Sequence, residues 1–68
     1  MEFKLKNEFI ELDNMLKVLE LVASAAEARQ CIQLGSIKVN GQVEIRIRRK
    51  LRVGDSVEFG QQKIIIVA

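Results

Sequence analysis

The chain has no His, no Trp, no Tyr, no Pro and a single Cys. Without His it lacks the side chain that most often shuttles protons near neutral pH. A His-based triad, a zinc finger and a two-His metal site are excluded with it. One Cys cannot close an intrachain disulfide, which suits a reducing compartment. The four Gly are far apart and each fits a turn or a cap, so no Gly-rich phosphate loop exists. No apolar run approaches the ~20 residues of a bilayer span, and no signal-peptide layout opens the sequence. The expectation is therefore a cytoplasmic protein with no membrane partner. A chain of 68 residues is one small domain at most. Folding at this size buries only ~60% of the surface exposed when unfolded, which leaves no room for an enclosed catalytic cleft. No enzyme activity, cofactor, metal or small-molecule substrate is expected.

What is present is the composition of a folded domain. The chain is 49% hydrophobic and 29% charged, whereas a disordered segment has few aliphatic residues and a larger net charge. The net charge of +2 conceals an uneven distribution. Residues 1–34 hold four basic and six acidic side chains, a net −2, whereas residues 35–68 hold seven and three, a net +4. Most of the excess lies in Arg46, Arg48, Arg49, Lys50 and Arg52, five cations within seven residues with no acid among them. Such a run creates a local field that the net charge hides.

Hydrophobic spacing predicts the elements. Phe3 and Leu5 alternate with Glu2, Lys4 and Lys6 as in a half-buried strand, and Phe9-Ile10 continue as an extended lead-in. Leu12, Met15, Leu16, Leu19 and Val22 form one stripe of an amphipathic helix, with Asp13 as its N-cap. Ser24-Ala25-Ala26-Glu27 is a capping box in which Glu27 reaches back to the Ser24 amide. It opens a second helix with Ala25, Ala28, Cys31 and Ile32 inward and Gly35 as its left-handed C′ residue. The two helices, joined by almost nothing, must pack at a steep angle. Ile37 and Val39, then Val43, Ile45 and Ile47, form a hairpin about Asn40-Gly41. One apolar face on both arms requires a three-residue, bulged connection that pairs Val39 with Val43 and Ile37 with Ile45, and Lys38 with Glu44. Val53-Gly54-Asp55 and Gly60-Gln61-Gln62 are turns around a strand holding Val57 and Phe59. The run Ile64 to Val67 suggests a last strand buried on both faces. The fold class is α+β: a single small domain, two helices packed on a small, mostly antiparallel sheet.

The order Leu12-Asp13, Ser24, Ala28-Arg29, Ile32, Gly35, Ile37-Lys38-Val39-Asn40-Gly41 and Val53-Gly54-Asp55 resembles the ribosomal-protein-S-four-type RNA-binding domain, or αL motif. The likeness covers roughly residues 11–59, and its most specific part is Ser24 to Gly41. The basic string and the flanking strands resemble the stand-alone YbcJ-like branch of small bacterial proteins. On this resemblance residues 1–68 form one RNA-binding domain, with terminal strands added to the motif core. Where the family often carries cations around its helices, this chain has Glu11, Asn14 and Ala25. Its positive charge lies in Arg46–Arg52 instead.

The resemblance implies binding of structured RNA, ribosomal or ribosome-associated, by phosphate contacts and shape, with ribosomal proteins as further candidate partners. Arg46, Arg48, Arg49, Lys50 and Arg52 are the main candidates, because each cation that neutralises a phosphate releases counterions. The plainer reading is a charged edge that deters aggregation. Arg29, Lys38, Gln33 and Lys17 extend the candidate surface; alternatively Arg29 lies along its own helix, Lys38 pairs with Glu44, and Gln33 and Lys17 are ordinary helix surface. Cys31, Phe3, Phe9 and Phe59 read as core, and the absence of exposed aromatics argues against base-stacking modules. Two other functions compete. One is a protein-interaction adaptor that docks a basic strand on an acidic partner in the translation machinery. The other is a duplex-DNA binder, although the second helix offers only Arg29, balanced by Glu27.

Overall fold

The computed structural model describes residues 1–68. Its elements run β1 (Glu2–Lys4), β2 (Ile10–Glu11), α1 (Leu12–Val18), α2 (Ala25–Gln33), β3 (Ile37–Val39), β4 (Gln42–Val43), β5 (Lys50–Leu51), β6 (Ser56–Phe59) and β7 (Gln62–Val67). Five strands form a mixed sheet in the order β1-β7-β6-β3-β4, while β2 and β5 pair separately. All five-strand pairings are antiparallel except β1 with β7. The expected α+β class, with two helices on a mostly antiparallel sheet, is the observed one.

Alternation decides which sheet face is buried. Val39, Val57 and Ile64 lie opposite one another across β3, β6 and β7, and all three are buried. With Ile37 and Ile66 they meet Leu12, Met15 and Leu16 of α1 and Ala28 and Ile32 of α2 in one core of twelve residues. Burying each Val, Leu, Ile or Met among them contributes about 1.5–3 kcal/mol. Cys31, Phe3 and Phe59 pack against this core while partly exposed. In β7 only one face is fully buried: Ile65 and Val67 keep partial exposure, so the expectation of two buried faces is corrected.

The first helix is shorter than its apolar stripe. It stops at Val18, and Glu20 takes a left-handed conformation (φ +58°). The N–H of Leu21 donates to Leu16 O and that of Glu20 to Lys17 O, the bond pair that closes a helix through a left-handed C′ residue. The second helix ends in the same way at Gly35 (φ +79°), with Ser36 donating to Cys31 and Gly35 to Ile32. A glycine announces the second ending; the first has none. Val22 is buried beyond α1, and six residues, 19–24, separate the helices instead of almost nothing. Ser24 Oγ accepts from Glu27 N (3.2 Å) as expected. The Glu27 carboxylate, however, accepts from Ala23 N (3.2 Å) and not from Ser24.

The hairpin register also differs. Val39 faces Gln42 and Lys38 faces Val43, so Asn40-Gly41 is a strict two-residue loop with both residues left-handed (φ +53° and +83°). This is the turn that such a dipeptide favours. Asn40 stays in place because its side-chain N–H₂ donates to Asp55 Oδ1 and its Oδ1 accepts from Ser56 N, each at 3.0 Å. The consequence is that Val43 and Ile45 remain outside the core, 55% and 62% exposed. The arm from Val43 to Ile47 is not a continuous strand: pairing ends at Val43 and a loop runs to β5.

Candidate nucleic-acid interface

That loop carries Arg46, Arg48 and Arg49, with Lys50 opening β5 and Arg52 just beyond it, and its backbone is committed elsewhere. Helix α1 has no side-chain N-cap: Glu11 occupies the cap position without bonding, and Asp13 Oδ1 accepts from Asn14 N instead. The first N–H groups of a helix need partners. Here Leu12 N donates to Arg49 O (2.9 Å) and Asp13 N to Ile47 O (3.2 Å). The basic loop is thus the cap of α1, which corrects the expected Asp13 cap and explains why residues 44–49 do not extend the sheet. The pairing of Ile10 with Leu51 and of Glu11 with Lys50 then fixes the far end of the loop.

Glu44 ties down the near end. It is 7% exposed, and its N–H donates to Ile37 O (3.0 Å). Its Oε1 accepts from Arg46 Nη2 (3.0 Å) and Arg49 Nη1 (2.7 Å), and its Oε2 from Arg46 N and Nε, both at 3.0 Å. The Arg46 bond dominates. Burial opposes it, but the Arg49 bond and the remaining Arg46 contacts add to it and hold the Glu44 carboxyl at about 2. The same bond raises the affinity of Arg46 for its proton. Glu44 therefore pairs with arginines within its own loop. Lys38, expected to be its partner, instead faces Glu58 and Val43 in the strand register.

The five cations converge. Arg46, Arg48, Arg49, Lys50 and Arg52 line one shallow depression of about 460 Å³ to which no acidic side chain contributes. Arg46 and Arg49 hold the chain's two ion pairs, both with Glu44; Arg48, Lys50 and Arg52 are exposed and unpaired. Just beyond, Asp55 fixes the turn by accepting from Arg52 N (2.9 Å). Burial pushes the Asp55 carboxyl up, but the Arg52 N–H, the Asn40 amide and the charges of Arg49 and Arg52 outweigh it and leave it below the usual range.

The other candidates lie apart from this depression. Arg29 and Gln33 are exposed on α2 and Lys38 on β3. Lys17 lines a separate hollow beside Glu20 and Glu27. Two participants were not expected from sequence. One is Glu44, whose signal was being the acid nearest to the run. The other is Phe9, read as core but absent from it. Lys50 Nζ lies 4.9 Å and the Arg52 guanidinium 5.8 Å from the centre of the Phe9 ring, within cation–π range. The β2–β5 pairing creates this contact, and no local pattern in the sequence announces it. No helix is long and apolar enough to cross a membrane.

Comparison with known proteins agrees with this architecture. The S4 domain family profile matches residues 3–67. The putative RNA-binding protein YbcJ of Escherichia coli (strain K12) is 36% identical over 63 residues, 93% of this chain and 90% of that protein. An uncharacterized YbcJ of Shigella flexneri matches equally. The solution structure of the E. coli YbcJ, described as revealing an αL motif involved in RNA-binding, superposes with a TM-score of 0.74 at 37% identity. It covers 98% of this chain and 86% of that one. With the profile spanning nearly its whole length and a relative of this identity sharing its fold, the chain belongs to the S4 domain family.

Proposed function

We propose that this chain binds structured RNA, ribosomal or ribosome-associated, in the cytoplasm, with residues 1–68 acting as one binding domain and no catalytic step. The observation that carries the reading is the depression lined by five cations and no acid. Guanidinium groups offer planar forks to phosphate, and several close cations give affinity without reading sequence. Membership of the S4 domain family and the YbcJ relative's name as a putative RNA-binding protein support the choice of RNA. Arg46, Arg48, Arg49, Lys50 and Arg52 supply most of the field, and Arg29, Lys38, Gln33 and Lys17 extend the surface.

Titrating a blunt RNA hairpin at several salt concentrations tests the reading. Log affinity is expected to fall against log salt with a slope of about −0.7 to −0.9 per phosphate contacted. Duplex DNA of equal length is expected to compete poorly. Equal competition would favour the duplex-DNA reading. A salt-independent affinity would overturn the phosphate surface, and an acidic protein partner that survives nuclease treatment would favour the adaptor.

A further inference from the structure

A second concavity adjoins the basic depression at Phe9. It is a groove of about 670 Å³ built by the N-terminal segment and α1, within the range of about 300–1,000 Å³ typical of small-ligand sites. Phe3 and Phe9 contribute aromatic wall, Lys4 and Lys6 are its cations, and Asn7 and Asn14 are its amides. Glu11 is its one acid, so the lining carries a net positive charge. Phe9 links the two: it lines the groove, and Lys50 and Arg52 of the depression lie over its ring.

Phe9 is half-buried yet stands outside the hydrophobic core. An aromatic platform flanked by cations that can take phosphates is the recurrent arrangement for holding an unstacked base. Each Asn amide offers a donor pair and an acceptor, which matches the mixed edge of a nucleobase. We infer that this groove is a subsite for an unpaired nucleotide of the bound RNA. The base rests against Phe9, its edge meets Asn7 or Asn14, and its backbone runs from Lys4 and Lys6 toward Lys50 and Arg52. The inference rests on the RNA reading above and deepens it: the cations hold paired RNA by its phosphates, and the groove takes a single-stranded residue beside it.

The test compares a blunt RNA hairpin with the same hairpin carrying a short unpaired adenosine tail. The full chain is expected to bind the tailed RNA about 5-fold or more tighter, the effect of one base–aromatic stack. The Phe9 ring protons are expected to show an additional shift in the NMR spectrum when the tail is present. Phe9→Leu removes the aromatic platform and is expected to abolish the advantage; because Lys50 and Arg52 lie over this ring, the readout is the ratio of tailed to blunt affinity, which is expected to fall to about one. If Phe9→Leu does not fold, Asn14→Ala on the exposed side of α1 reads the same difference. Equal affinity for the two RNAs, or a variant that weakens both alike, would overturn the subsite and leave the phosphate surface standing. Failure of both hairpins to bind would remove the RNA reading and the subsite together.

Discussion

Two sets of cations share one seven-residue stretch and do different work. Arg46 and Arg49 are tied to Glu44, whereas Arg48, Lys50 and Arg52 carry no ion pair. The difference teaches that charge counted along a chain overstates the charge available to a ligand. A phosphate approaching Arg49 must compete with a carboxylate 2.7 Å away. One approaching Arg48 competes only with water. The tied pair helps hold the loop through Glu44, and the free set is the part of the proposed RNA surface with no competing carboxylate. The sharpest way to break this division is to delete each set. Replacing Arg48, Lys50 and Arg52 together by Ala is expected to shrink the salt slope by roughly 2–3 and to weaken RNA binding by about tenfold or more at moderate salt. The fold should survive, since none of the three is buried or ion-paired. The double change Arg46→Ala with Arg49→Ala is expected to shrink the slope less and to destabilise the fold, because it strands a buried carboxylate. Parallel salt titrations and thermal melts separate the two outcomes; equal slopes for both variants would collapse the distinction.

Glu44→Gln attacks the same comparison from the acid side and should move stability and binding in opposite directions. Losing charge-assisted bonds to two guanidinium groups is expected to cost about 2 kcal/mol of stability. Freeing Arg46 and Arg49 and removing a negative charge is expected to tighten RNA binding and steepen its salt slope. The pH dependence follows from the Glu44 carboxyl lying at about 2 against an ordinary 4.5. A depressed folded-state value means that the unfolded chain binds the proton more readily. The stabilisation is therefore complete above about 4.5 and is lost as pH falls toward about 2. Asp55, also held low, acts in the same direction. Denaturant titrations across this window should show Glu44→Gln less sensitive to acid than the parent; identical acid profiles would mean that Glu44 does not organise the loop.

The unequal legibility of the two halves has physical causes. The second helix was readable because each of its signals is local: Ser24 caps Glu27, and Gly35 supplies the left-handed ending. The first helix ends by the same geometry, but at Glu20, and no propensity marks a Glu for that role. The apolar stripe through Val22 then reads as helix although Val22 is buried from a loop. The Asn40-Gly41 turn was visible, yet its register was not. Choosing the register by apolar alternation assumed that Val43, Ile45 and Ile47 all point inward, whereas the loop's carbonyls are spent on capping α1 and two of those residues stay exposed. The basic run was the plainest functional signal, and the structure does gather all five of its cations. Its division into tied and free members depends on the burial of Glu44, and the role of Phe9 depends on β2 pairing with β5. Both are long-range facts that spacing along the chain does not carry.

The smallest expected effects come from the cations outside the depression, and they sharpen the comparison by supplying its baseline. Arg29, Lys38 and Lys17 stand on three different elements, and none lines the five-cation depression. Lys17 shares its hollow with Glu20 and Glu27, so its local field is already offset. Arg29 lies two residues from Glu27 on an exposed helix surface, where charges more than about 10 Å from a phosphate are largely screened at 0.1 M salt. Lys38 faces Glu58 across the strands. Single Ala replacements at these positions are expected to change RNA affinity by less than any single replacement at Arg48, Lys50 or Arg52, with Lys17→Ala the weakest. Stability should shift by no more than about 0.5 kcal/mol, as for ordinary surface substitutions. Affinities measured for the six variants at one low salt concentration would rank them. A Lys17 or Arg29 effect equal to that of Arg48 would mean that RNA lies across the helices as well, and that the depression is one end of a longer track.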